Sequence, residues 1–103
     1  MSVIFHVLKE EFVRLVETER GYTKVIKAMP RGTPRIRQVR KKNYLYLEYR
    51  DGNRVVHDYV GPRDSEKAKA ILEKIAQRRR YEKLLKETKS ALKDVRKALR
   101  GKI

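Results

Sequence analysis

The chain contains no cysteine and no tryptophan, and only two histidines, three prolines and five glycines. Without cysteine, neither a disulfide framework nor a thiolate metal site can form. His6 and His57 fall on different predicted elements, and no close acidic pair joins either of them, so no metal or other cofactor is expected. The scattered glycines make no P-loop and no dinucleotide fingerprint. No spacing supports a nucleophilic tyrosine, and the expectation is a protein that is not an enzyme.

Long apolar runs are missing too. Nothing approaches the roughly 20 residues needed to span a bilayer. MSVIFHVLKEEF opens apolar, but Lys9, Glu10 and Glu11 follow too soon for a secretory signal, and no small-residue cleavage site appears. Basic helices can lie on anionic lipid, yet the bulky apolar residues here are better used in packing. A cytoplasmic protein without a membrane role is expected.

What the sequence has in excess is positive charge. Twenty-eight Lys and Arg stand against thirteen Asp and Glu, a net charge of +15. A charged fraction of 40%, with Asn and Gln together numbering only four, would suit solubility or a thermophilic source. The one-sided imbalance points further, to a polyanionic partner such as nucleic acid. It is also uneven: residues 1–29 carry +1, residues 30–61 carry +5 and residues 62–103 carry +9.

Apolar periodicity divides the chain into three parts. Ile4, Leu8, Phe12, Leu15, Val16, Tyr22, Val25, Ile26 and Met29 recur at steps of three and four, predicting an amphipathic helix over residues 2–29. Ser2 is its candidate N-cap, and Gly21 invites a break or kink within it. PRGTP at residues 30–34 then ends the helix. From Ser65 to Arg100 no proline or glycine occurs, which predicts a second helix of roughly 54 Å. Asp64 or Ser65 caps it and Gly101 ends it. Its stripe runs Ala68, Ile71, Leu72, Ile75, Tyr81, Leu84, Leu85, Thr88, Ala91, Leu92, Val95 and Leu99, with spacing close to 3.5 beyond Tyr81.

Between the helices lies KKNYLYLEYRDGNRVVHDYVG (residues 41–61), which holds four of the six tyrosines. Its alternation predicts strands at Tyr44–Arg50 and Arg54–Val60 around an Asp51-Gly52-Asn53 turn, with a weaker strand at Arg35–Arg40. With Gly52-Asn53 as the loop, Asp51 faces Arg54, Tyr49 faces Val56 and Leu45 faces Val60. One face then holds Leu45, Leu47, Tyr49, Val56 and Val60, with Asp58 the exception. The other holds Tyr44, Tyr46, Glu48, Arg50, Val55, His57 and Tyr59. Taking Asp51-Gly52 as the loop would change the partners but keep each strand's alternation.

The expected fold is therefore α+β: a single domain with a small antiparallel sheet of two to three strands (residues 35–60), flanked by two long helices. The first half of the second helix would cover the Leu/Val face. Its second half would pair with the amino-terminal helix as a helical hairpin, or with another copy as a coiled coil. So thin a core makes a homodimer or a helical partner protein a reasonable expectation.

A sheet covered on one face exposes the other, here rich in Tyr, Arg and His. Tyr offers a π surface and a hydroxyl, and Arg stacks and forks; both suit sugar–phosphate and base contacts. Arg35, Arg37, Arg40, Lys41 and Lys42 add five cations at the sheet's leading edge. The candidate contacts on the sheet are these five with Tyr44, Tyr46, Arg50, Arg54, His57 and Tyr59. Alternating tyrosines are equally what cross-strand packing uses. Glu48 would repel phosphate, unless it accepts from cytosine or pairs with His57. Arg78 and Arg79, next to Arg80, form a second candidate surface, although successive helical residues point about 100° apart and cannot all serve one contact.

The order strand, Asp-Gly turn, strand, Gly and Ala-spaced helix (YLYLEYRDGNRVVHDYVGPRDSEKAKAILEKI) resembles the small three-stranded DNA-binding domain that precedes many tyrosine-type integrases. It is also similar to small uncharacterised prokaryotic proteins in which a Pro-Arg-Gly turn leads into a tyrosine-rich hairpin and a basic helix. The resemblance covers roughly residues 30–78. It implies a sheet that enters the major groove with side chains from Arg35–Arg40, Tyr44–Arg50 and Arg54–Tyr59. No recombinase segment accompanies it, and the two long helices are not part of that domain. Together these observations lead to a non-catalytic nucleic-acid-binding protein, with double-stranded DNA preferred over RNA. The alternatives are an assembly protein acting through its helices, or an RNA-binding protein stacking bases on tyrosine.

Overall fold

Serine begins both helices. In the computed structural model, which describes residues 2–101, Ser2 Oγ accepts from the Phe5 amide at 3.2 Å and Ser65 Oγ from the Ala68 amide at 3.2 Å. These are N-caps that satisfy otherwise orphaned donors. The elements run α1 (Val3–Ala28), β1 (Thr33–Val39), β2 (Lys42–Asp51), β3 (Arg54–Pro62) and α2 (Glu66–Arg100). This is the expected α+β order, and the sheet has three antiparallel strands in the order β1-β2-β3. Helix α1 passes through Gly21 without interruption, so no break occurs there.

The chain divides into two compact units. One joins α1 with α2 from Arg80 onward, and the other comprises residues 29–79. In the first, the Tyr22 and Tyr81 rings lie 5.8 Å apart, and the Arg96 guanidinium lies 5.5 Å from the Phe12 ring centre. Sequence positions rise along α1 as they fall along α2, so the two pack as an antiparallel helical hairpin. Its buried residues are Leu15, Leu92 and Thr88. Thr88 is accommodated because its hydroxyl donates to the Leu84 carbonyl at 2.9 Å. Ile4, Val25 and Leu84, expected on the packed stripes, are instead exposed. Val25 and Leu84 lie at the margins of stripes too wide for a two-helix seam to cover, whereas Ile4 is in line with Leu15 but sits in the first turn of α1.

The second unit contains the sheet and the first turns of α2. Leu45, Leu47, Ala68 and Ile75 are its buried apolar residues, and Gly61 is buried with them. Burying each Leu contributes about 1.5–3 kcal/mol. The β2–β3 register is that of the Gly52-Asn53 loop, with Asp51 opposite Arg54 and Tyr49 opposite Val56. Gly52 has φ 62° and is the residue of this turn that adopts positive φ, as glycine does at the first central position of a type II′ turn. The expected Leu45–Val60 pair does not form. The register shifts between Leu45 and Tyr46, so Tyr46 faces Tyr59, Leu45 faces Gly61 and Val60 is the extra residue of a β-bulge. Gly61 has φ 152°, and a Cβ there would lie 3.3 Å from Ser65 Oγ. The Ser65 hydroxyl also donates to the Pro62 carbonyl at 2.7 Å, so the bulge delivers the chain directly into the cap of α2.

Strand β1 begins at Thr33, earlier than expected, and includes Pro34, which an edge strand tolerates. Its turn into β2 is Arg40-Lys41, with φ 51° and 69°, and Val39 pairs with Lys42 across it. Two consecutive positive φ values in a two-residue loop describe a type I′ turn, whose preferred residues are Asn and Gly. For side chains like these, the left-handed conformation costs about 1–2 kcal/mol per residue.

Candidate nucleic-acid interface

Strand alternation sorts charge as well as hydrophobicity. Arg35 and Arg37 of β1 oppose Tyr46 and Tyr44 of β2, and Tyr46 and Glu48 in turn oppose Tyr59 and His57 of β3. These residues share the open face with Lys42 and Arg50. The other two acidic residues of the strands, Asp51 and Asp58, alternate to the opposite side with Leu45 and Leu47. Glu48 is thus the one carboxylate among the cations of the open face.

That carboxylate is not left alone. Arg35 Nε donates to Glu48 Oε2 at 3.3 Å, and His57 Nδ1 lies 3.8 Å from the same oxygen. Glu48 thus faces His57 across the strands at a separation too long for a hydrogen bond, and Arg35 is its nearer partner. Arg35 keeps 60% of its side chain exposed.

The tyrosines form one cluster. Tyr59 lies 5.3 Å from Tyr46 and 6.2 Å from Tyr44, ring centre to ring centre, with the rings inclined at 57° and 47°. Arg37 covers Tyr46, its guanidinium carbon 5.0 Å from the ring centre. Cross-strand packing is real here, yet Tyr59 remains 55% exposed. Inclined rings, one already covered by Arg37, offer edges and hydroxyls and no shared flat platform.

The fourth hairpin tyrosine, Tyr49, belongs to the other side. Its hydroxyl donates to Asp58 Oδ2 at 2.8 Å, and the Arg31 guanidinium lies 4.2 Å from its ring centre. The hydrogen bond to the Asp58 carboxylate raises the Tyr49 pKa above the usual tyrosine value. Reading the sequence does not reveal the Arg31 stack, because Arg31 lies in the PRGTP turn and meets Tyr49 only once the strands are paired.

The remaining sequence candidates separate. Arg40 and Lys41 occupy the β1–β2 turn. Lys41 and Lys42 line a recess of about 370 Å³ together with Asn43, Tyr44, Pro62 and Asp64. Arg50 is exposed opposite Val55 on the open face. Arg54 pairs with Asp51 across the β2–β3 turn, on the side away from the tyrosine cluster. Arg78 donates to the Pro30 carbonyl at 3.0 Å, a tie between α2 and the segment leading into the sheet. Arg79 is exposed. Among the described residues, no group of His, Asp and Glu could hold a metal ion, and no helix is long and apolar enough to cross a membrane.

The architecture is that of a small α+β protein with a basic, tyrosine-bearing sheet face. The chain belongs to the family described as "Domain of unknown function (DUF6788)", which matches residues 7–70 and so takes in most of α1, the whole sheet and the start of α2. No curated protein and no solved structure matches the chain.

Proposed function

We propose that this protein binds nucleic acid without catalysing a reaction on it, and that double-stranded DNA is its preferred ligand. The observation that carries this reading is the sorting of the sheet: Arg35, Arg37, Lys42 and Arg50 share the open face with three tyrosines, and its one carboxylate is paired. A ribbon of strands of this kind can enter the major groove, reading base edges while flanking cations meet phosphates. The likeness of residues 30–78 to the sheet domain of tyrosine-type integrases agrees with that mode. The inclination of the tyrosine rings favours a duplex over an unpaired strand, because serial base stacking needs accessible π faces. Such a role belongs in the cytoplasm.

The test is fluorescence anisotropy of labelled duplex DNA, hairpin RNA and single strands at several salt concentrations. Duplex binding that survives moderate salt and is lost in Tyr46→Ala/Arg50→Ala supports the reading. Equal, weak binding to all three, abolished by modest salt, refutes it.

A second reading rests on α1, where Val3, Ile4 and Val7 are exposed near the amino-terminal end. On this reading a second copy of the chain covers them, giving a homodimer. Light scattering of the wild type and of Val7→Asp decides it: a dimer that the substitution dissociates supports it, and a monomeric wild type refutes it.

A further inference from the structure

The β1–β2 turn combines an unfavourable backbone with the wrong residues for it. Both Arg40 and Lys41 adopt positive φ, where Asn-Gly would sit without strain. Among the described residues, neither side chain has a hydrogen bond, ion pair or ring contact that would offset this cost. Strained backbone of this kind clusters at active sites and ligand clamps. The turn also opens onto the recess lined by Lys41, Lys42 and Tyr44, which has the volume to admit a phosphate with its sugar. Asp64 lines the same recess, so the cations of the turn, and not the recess alone, define the ligand.

We infer that the Arg40-Lys41 turn, with Lys42, is an anchor for a backbone phosphodiester of the nucleic acid lying on the open face. The inference rests on the nucleic-acid reading above and adds a division of labour to it. The turn fixes position through phosphate and carries no sequence information, while the tyrosine/arginine face contacts the groove. A tight turn suits that role, because it projects two cations from one short, rigid point beside the exit of β1.

The test compares three double variants with the wild type in duplex-DNA anisotropy across a salt series, alongside thermal melting. Arg40→Asn/Lys41→Gly relieves the backbone and removes both charges. Arg40→Gln/Lys41→Gln removes the charges and keeps the backbone. Lys93→Gln/Lys97→Gln removes two exposed charges from α2. Both turn variants should bind about tenfold more weakly at low salt, with the slope of log affinity against log salt reduced by about two. The Asn/Gly variant should melt higher than the wild type, and the α2 variant should change affinity less than about twofold. Turn variants that bind like the wild type overturn the inference and leave the nucleic-acid reading standing. An α2 variant that loses as much as the turn variants also overturns it, since net charge alone would then be responsible. A wild type that does not bind duplex DNA overturns both.

Discussion

Arg35 Nε donates to Glu48 Oε2 at 3.3 Å across the β1–β2 pair, which gives the one carboxylate of the open face a cationic partner. A lone carboxylate at the centre of a basic sheet would repel phosphate. Paired with Arg35, and with His57 within reach, it orients a guanidinium. Replacing it isolates the effect. Glu48→Gln should raise duplex affinity by a fewfold, because the acid is removed while an acceptor for Arg35 remains. Its effect on stability should stay within about 1 kcal/mol, as for other exposed pairs. Anisotropy and thermal melting measure both, and a fall in affinity would mean that Glu48 itself contacts the ligand.

Core positions should respond unit by unit. Leu45 and Leu92 are fully buried, one in each compact unit, whereas Leu84 is exposed. Leu45→Ala and Leu92→Ala should each cost about 2–5 kcal/mol in denaturant unfolding. Leu84→Ala, at a side chain that keeps 40% of its surface exposed, should cost clearly less, about 1 kcal/mol. A large loss at Leu84 would show that its side chain is covered in solution.

The bulge makes Gly61 a sensitive position. Its φ of 152° opposes any side chain, as does Ser65 Oγ, which would stand 3.3 Å from an added Cβ. Gly61→Ala should destabilise by about 1–3 kcal/mol, and Ser65→Ala by about 1 kcal/mol through loss of the cap. Because both changes disturb one junction, the double variant should lose less than the sum of the two. Strict additivity would show that bulge and cap are independent.

Tyr49 should ionise above the ordinary tyrosine pKa. Its hydrogen bond to Asp58 raises the folded-state pKa above the unfolded value. The stability it contributes is therefore fully present below the ordinary tyrosine pKa and is lost as pH rises through the raised one. An alkaline titration followed by ultraviolet difference absorbance should show a late step that disappears in Tyr49→Phe. In Asp58→Asn the same step should move to lower pH. A late step that persists in Tyr49→Phe would assign it to another tyrosine.

The elements were legible in the sequence where a residue type has a single strong local use. Ser2 and Ser65 cap the helices as expected, and the Gly101 amide bonds the Lys97 carbonyl where α2 ends. Gly52 set the β2–β3 register, and that register put three tyrosines, Arg50 and His57 on one face. The β1–β2 turn was not legible, because Arg-Lys is no turn signal and only the paired strands impose positive φ on it. The bulge at Val60 was hidden as well, since alternation by itself cannot show an extra residue. Arg78 and Arg31 look like ordinary surface cations in the sequence, and their contacts with Pro30 and Tyr49 depend on how distant segments meet.

The most direct measurement is duplex-DNA anisotropy over a salt series with the wild type and Arg37→Glu/Arg50→Glu. Both residues lie on the open face and away from the buried core. The wild type should bind with a steep salt slope, and the variant should lose nearly all binding while its helical circular dichroism and melting temperature are retained. Undiminished binding by a folded variant would contradict this and remove the open face as the contact surface.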